Sequence, residues 1–236
     1  MDNFLEWGYN TNIEAINLLF LSVVANIISL INFNFITTLV YSISWYNINS
    51  KLFGLSKNSV YADYWVSLLH SIGLIIMMLI NSFIGSNLIK NNILIYTLSY
   101  FLYDIFIVIN HKYSKLFLYH HVLSILTLII ALINQEYLDI ILVILLLGEV
   151  TNPFQNLYNI LKINQHEYTD IVFKYFTFSF CFIRLIVFPL YWIKSGLLSE
   201  NNMNANIINF NLLLGTITSG FWIFKMCSIY KKKFLS

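Results

Sequence analysis

Seven apolar runs follow one another along the chain, at about residues 15–42, 62–85, 93–110, 116–134, 137–161, 168–193 and 207–230. A bilayer core takes about 20 helical residues, and each run approaches or exceeds that length. Charged residues make up only 10% of the 236, against 58% hydrophobic, whereas a soluble domain carries roughly a quarter charged residues. Such a chain cannot cover itself in water. The fold class is therefore an all-α polytopic membrane protein of about seven transmembrane helices. A net charge of +2 is too small to suggest nucleic acid, and membrane lipids are the expected partners.

The distribution of charge gives an orientation. Asp2 and Glu6 precede the first run with no base among residues 1–13, so no cleaved signal peptide is indicated. Lys51, Lys57, Lys112, Lys115, Lys162, Lys231, Lys232 and Lys233 fall on one side of a seven-span layout. Only Lys90 and Lys194 fall on the other, together with Glu136 and Glu200. The positive-inside rule then places the N-terminus in the lumen and the C-terminus in the cytosol. The parity depends on a very short turn near 134–137. Cys181 and Cys227 both lie within apolar runs, which argues against a disulfide framework or a zinc site.

Polar residues inside the runs fall on helical faces. Asp63, Ser67, His70 and Ser71 share one side of the second run; Tyr100, Asp104 and His111 share one side of the third. His120, Ser124 and Thr127 align in the fourth, with His121 beside them. Glu149, Asn152 and Asn156 form a stripe around Pro153, and the last two runs add Arg184 with Pro189 and Trp222 with Lys225. At about 1.5 Å of rise per residue, Asp104 and His120 lie about 9 and 6 Å from the cytosolic ends of their runs. They sit at similar depth on consecutive helices. The pattern predicts a polar cavity opening toward the cytosol, beside two helices bent by proline.

Ionisable groups at membrane depth are costly and are functional candidates by default. Neighbouring residues on a helix point about 100° apart, so one of His120 and His121 can face the cavity while the other faces a neighbouring helix. An imidazole acts as base or nucleophile near neutral pH, and Asp104 is placed to orient it. The same contacts can also simply fasten helices together, as hydrogen-bonding side chains do in membranes. His111 and His166 are expected in solvated turns, and His70 is more readily read as a packed histidine than as a ligand. Gly215 with Ser219, and Thr216 with Gly220, give a small-xxx-small spacing that suggests close packing of the last helix. Five histidines with a single adjacent pair do not match the histidine clusters of membrane di-iron enzymes, and no metal site is expected. A seven-helix receptor does not fit either. The third run ends Ile-Asn-His-Lys-Tyr, and Asn152-Pro153 falls in the fifth run rather than the last.

In chain order, Trp65-Val-Ser-Leu-Leu-His70, Ser99-Tyr-Phe-Leu-Tyr-Asp104, Tyr119-His120-His121, Glu149-Val-Thr-Asn-Pro153-Phe154 with Asn156, and Phe182-Ile-Arg184-Leu with Pro189 and Gly220-Phe-Trp222 resemble the landmarks of the TLC domain. That family is named after translocating-chain-associated proteins, longevity-assurance ceramide synthases and a neuronal lipofuscinosis protein. The resemblance covers about 56–235. It implies a domain of six helices over 56–236, with residues 1–55 supplying one appended helix.

Ceramide synthases join an acyl-CoA to a sphingoid base in the endoplasmic reticulum. By resemblance, His120 and His121 would hold the catalytic positions with Asp104 as the orienting acid. Glu149, Asn152, Asn156, Arg184 and His70 would bind substrate. Acyl-CoA would be a co-substrate, with no bound cofactor, and the family leaves room for a homo-oligomer. This chain departs from the synthases after the histidine pair. The segment 129–147 is largely apolar without arginine, and Glu149 and Asn152 stand where synthases carry a His-Asp-x-x-Asp element. It looks closer to the TLC-domain-containing transmembrane branch. The resemblance implies N- or O-acyl transfer to a lipid; the alternatives are a non-catalytic lipid-binding or membrane-composition protein, or a translocon-associated helper.

Overall fold

The computed structural model describes residues 35–56, 59–110 and 115–234. Lys57, His111, Lys112 and most of the first expected run lie outside them. Among the described residues every regular element is helical: α1 Phe35–Ser56, α2 Ser59–Ile84, α3 Asn87–Asn110, α4 Lys115–Ile133, α5 Leu138–Glu149, α6 Asn152–Ile163, α7 Thr169–Phe182, α8 Phe188–Lys194 and α9 Met203–Phe234. Short 3₁₀ turns at Gln135–Tyr137 and Leu197–Ser199 and a π turn at Ile183–Val187 complete the set. Five stretches are long and apolar enough to cross a membrane: Ser59–Ile84, Asn87–Ile109, Gln135–Ile163, Thr169–Lys194 and Met203–Phe234. Leu118–Ile133 is a shorter apolar helix.

Around a largely apolar core that includes buried polar groups, the helices also turn apolar side chains outward, where a water-soluble bundle is polar. On α2 the buried face carries Asp63, His70 and Ser71, whereas Leu69, Ile76, Leu79 and Phe83 are exposed. α1 repeats the arrangement, with buried Thr38 and Trp45 inward and Val40, Ile43 and Phe53 outward. Apolar groups gain nothing by avoiding lipid tails, so polar contacts and close packing hold such helices together. α3 is the central helix, with 72% of its apolar window buried against 22% for α2. It is flanked by α1, α2 and α4, while α2 packs on α6, α6 on α7, α7 on α9 and α9 on α4. These spans ring an interior space.

α1 corrects the expected end of the first run near residue 42. The helix continues to Ser56 and takes Lys51 into its last turns. Its inward face is polar and aromatic, so an apolar count stops too early. Trp45 packs against the rings of His70, Tyr96 and Tyr100. Asn49 donates to Asp63 Oδ1 at 2.6 Å and to the Tyr103 hydroxyl. These contacts fasten α1 to α2 and α3.

The turn on which the span parity depends is present. Asn134 leaves the helical region (φ −106°, ψ 92°), its side chain accepts from the Glu136 amide, and α5 begins at Leu138. Lys90 of α3 pairs with Asp139 of α5 at 2.5 Å beside it. The two expected proline kinks are sharper than bends. The fifth run divides at Val150–Thr151, because Pro153 has no N–H for the Glu149 carbonyl. In the sixth, Pro189 cannot bond Leu185, and the Phe188 amide instead reaches Ile183 in a π turn. That turn carries Arg184, whose Nη2 donates to the Gly148 carbonyl at 2.5 Å and so caps the broken end of α5. Two prolines thus cooperate at one level of the bundle.

Close packing does not explain the two glycines of α9, although Ser219 is buried as expected. Side-chain carbons added at Gly215 and Gly220 would meet nothing within 4 Å. Gly215 borders an interior slot, and Gly220 is exposed.

Candidate functional site

Two adjoining cavities occupy the ring. The larger, of about 350 Å³, is polar and is lined by residues of α2 through α7 and α9 together with Arg184. It occupies the half of the bundle nearer the α3–α4 and α6–α7 connections and extends toward that end through Asp63, Val108 and Asn159. The smaller, of about 90 Å³, runs the other way between α4, α5 and α9, past Leu128, Ile141, Ile144 and Leu212. Its stretch along α4, from His120 to Leu128, covers about 12 Å of helical rise. Four residues border both spaces: Phe101, His120, Glu149 and Arg184.

The histidine pair faces this junction with unequal partners. His121 Nε2 lies 2.8 Å from Asp104 Oδ2, a contact between α4 and α3. With Nε2 bearing the proton, the lone pair of the neutral ring lies on Nδ1, and the carboxylate steadies a positive charge on the ring. His120 stands edge-on to His121 and Trp222, at 5.5 and 5.6 Å between centroids. Its imidazole has no hydrogen-bond partner among the described residues. Both rings line the polar chamber, and only His120 also reaches the slot. The sequence allowed one ring to face the cavity and the other a neighbouring helix; His121 meets α3 through Asp104, and both rings also line the chamber, one tethered and one untethered.

The remaining expected residues are mostly brought together. Glu149 accepts from Asn152 Nδ2 at 2.7 Å, and Asn156 donates to Ser67 Oγ at 2.9 Å; all four line the chamber. Buried Arg184 contributes through its place in the π turn, and its Nε has no partner. His70 is the exception. It is fully buried and stacked on Tyr100 (3.8 Å, 8°), outside the lining of both cavities. Its Nδ1 comes no closer to Glu149 than 3.8 Å, too far for a hydrogen bond. Lys225 is exposed and lies outside both linings, so its expected place on the cavity face is corrected. His166 lies exposed in the α6–α7 turn, as expected.

Other lining residues were not singled out from the sequence. Gln155 and Asn159 extend the α6 polar face, and Tyr64 joins them from α2. In the slot, Asn211 of α9 bonds Thr127 Oγ1 at 3.1 Å. Gln155 and Asn159 fall at helical spacing from Asn152 and Asn156, so that face could have been extended from the periodicity.

A family model described as a TLC domain matches residues 22–228. The chain belongs to the TLC-domain family. The match includes α1 and takes in every residue that borders the two cavities. Membership and the apolar helices make this a multi-pass membrane protein with a lipid-related function. No curated protein and no solved structure matches the chain in the corresponding comparisons.

Proposed function

We propose that this TLC-domain protein transfers an acyl group from acyl-CoA to a lipid, within a membrane of the endoplasmic reticulum and from its cytosolic side. The observation that carries this reading is the meeting of a polar chamber and an apolar slot at His120, Glu149 and Arg184. An acyl chain in the slot would bring its carbonyl to that junction, with the CoA portion directed along the chamber. Arg184, which borders both cavities, is suited to stabilise the carbonyl oxygen as negative charge develops there. His121, steadied by Asp104, takes the proton of the attacking acceptor. The carbon–sulfur bond breaks, and the proton passes to the leaving thiolate. His120 is the nucleophile if transfer proceeds through an acyl-enzyme.

A second reading draws on the same Asp104–His121 contact, which ties α3 to α4 and can serve a non-catalytic lipid-binding protein by holding the bundle shut. Purified protein incubated with a long-chain acyl-CoA separates the two. The catalytic reading expects CoA release, with His121→Ala lowering the rate by about 100-fold or more while the folded fraction is retained. Any acyl mass on the 120–121 peptide should disappear in His120→Ala. If the loss of CoA release only follows the loss of folded protein, the helix-fastening reading stands and the catalytic one falls.

A further inference from the structure

The chamber's polar groups divide into those the protein already engages and those it does not. Asp63 accepts from Asn49, Asp104 contacts His121, and Glu149 accepts from Asn152. Every carboxylate in the lining therefore has a side-chain partner. Asn156 is engaged by Ser67. Apart from His120 at the junction with the slot, three polar side chains of the lining remain without a hydrogen bond among the described residues: Tyr64 on α2, and Gln155 and Asn159 on α6. Gln155 and Asn159 lie one turn apart on the same helix face, and α2 packs directly against α6. All three are half-buried and uncharged, and each can both donate and accept. Among the described residues the lining contains no lysine, and its guanidinium, Arg184, sits at the inner end beside the slot.

We propose that the outer chamber binds an uncharged, hydroxyl-bearing lipid headgroup, held between Tyr64 and the Gln155 and Asn159 amides. This rests on the acyl-transfer reading above and narrows its acceptor to an alcohol, so that the product is an ester. The acceptor oxygen bonds to the thioester carbonyl carbon, the carbon–sulfur bond breaks, and the hydroxyl proton ends on the CoA thiol. A phosphorylated headgroup would meet carboxylates with no lysine among the described lining residues to offset them. An ammonium headgroup would have to compete with the existing partners of Asp63, Asp104 and Glu149. A polyol meets amides and a phenol that already offer both halves of its hydrogen bonds.

The test uses three probes with one shared chain: monooleoylglycerol, oleylamine and oleoyl lysophosphatidic acid. Native mass spectrometry of the full-length protein in detergent gives their relative affinities. Wild type should prefer monooleoylglycerol by about tenfold, a margin of one or two hydrogen bonds. The double variant Gln155→Leu/Asn159→Leu should lose about that factor for monooleoylglycerol and leave oleylamine unchanged. Gln155→Glu/Asn159→Asp, nearly the same shape with added charge, should shift the preference to oleylamine. The proposal is overturned if wild type prefers the amine or the phosphate, if it binds none of the three, or if the leucine variant retains monooleoylglycerol. CoA release with oleylamine as the acceptor, and none with monooleoylglycerol, would overturn the alcohol and leave acyl transfer standing. Monooleoylglycerol binding in the expected order, without CoA release in any mixture, would uphold the headgroup and overturn acyl transfer.

Discussion

Gly73 shows how tightly the membrane half of this protein is assembled. A side-chain carbon there would collide with the Tyr96 hydroxyl. The Tyr96 ring cannot easily retreat, because it lies 5.3 Å from Trp45 and 5.2 Å from His70. Overpacking of this kind costs about 1–3 kcal/mol. Gly73→Ala should therefore lower the melting temperature measurably, and adding Tyr96→Phe should recover much of the loss by removing the colliding oxygen. If the double variant is no more stable than Gly73→Ala, the hydroxyl is not the obstacle. At this scale the sequence was most informative where a charge interrupts an apolar run. Asp104 and the histidine pair stood out because ionisable groups at that depth are rare. Asn49 and Trp45 did not, because α1 is polar on the side it buries and neither residue breaks a pattern.

Helix breaks bring the site residues together, and here the sequence indicated the place without the form. Pro153 and Pro189 are the chain's two prolines, and the missing N–H predicts bending at each. A bend keeps one register on both sides, whereas the structure has a break at Val150–Thr151 and an added-residue π turn at Ile183–Val187. Both changes reset which side chains face inward. The break leaves the Gly148 carbonyl for Arg184 and lets Asn152 bond Glu149 from the next helix. Which carbonyl is released, and what covers it, depends on a neighbouring helix that local pattern does not report. Restoring the missing donor tests the arrangement. Pro153→Ala gives residue 153 an N–H for the Glu149 carbonyl and favours one continuous helix. The variant should stay folded, with a melting temperature within a few degrees of wild type, yet lose about tenfold or more in acyl-CoA binding as Glu149 and Arg184 move off the junction. Unaltered binding would mean that the break is incidental to the site.

At the scale of the whole molecule, the apolar exterior around a polar chamber defines a membrane protein, and charge decides which way it faces. Lys162 and Lys231–Lys233 lie at helix ends on one side of the bundle, and Lys233 pairs with Asp170 across α9 and α7. Lys90 and Lys194 mark the other end, where Lys90 is partly neutralised by Asp139. The excess of lysines thus lies at the end toward which the polar chamber extends. Retention of that end in the cytosol would open the chamber to soluble acyl-CoA and direct the slot toward the lumenal leaflet. The paired ends also show why a bare lysine tally is a blunt measure: a lysine held by an aspartate contributes less to the bias than a free one. Glycosylation reports the orientation directly. An acceptor sequon inserted beside Glu200, in the α8–α9 connection, should be glycosylated, and one appended after Ser236 should not. The reverse pattern would place the chamber's mouth in the lumen, away from acyl-CoA, and the transfer reaction would lose its donor. Adding lysines beside Glu200 should weaken the wild-type pattern, because the orientation is set by the difference in charge between the two ends and not by the sites themselves.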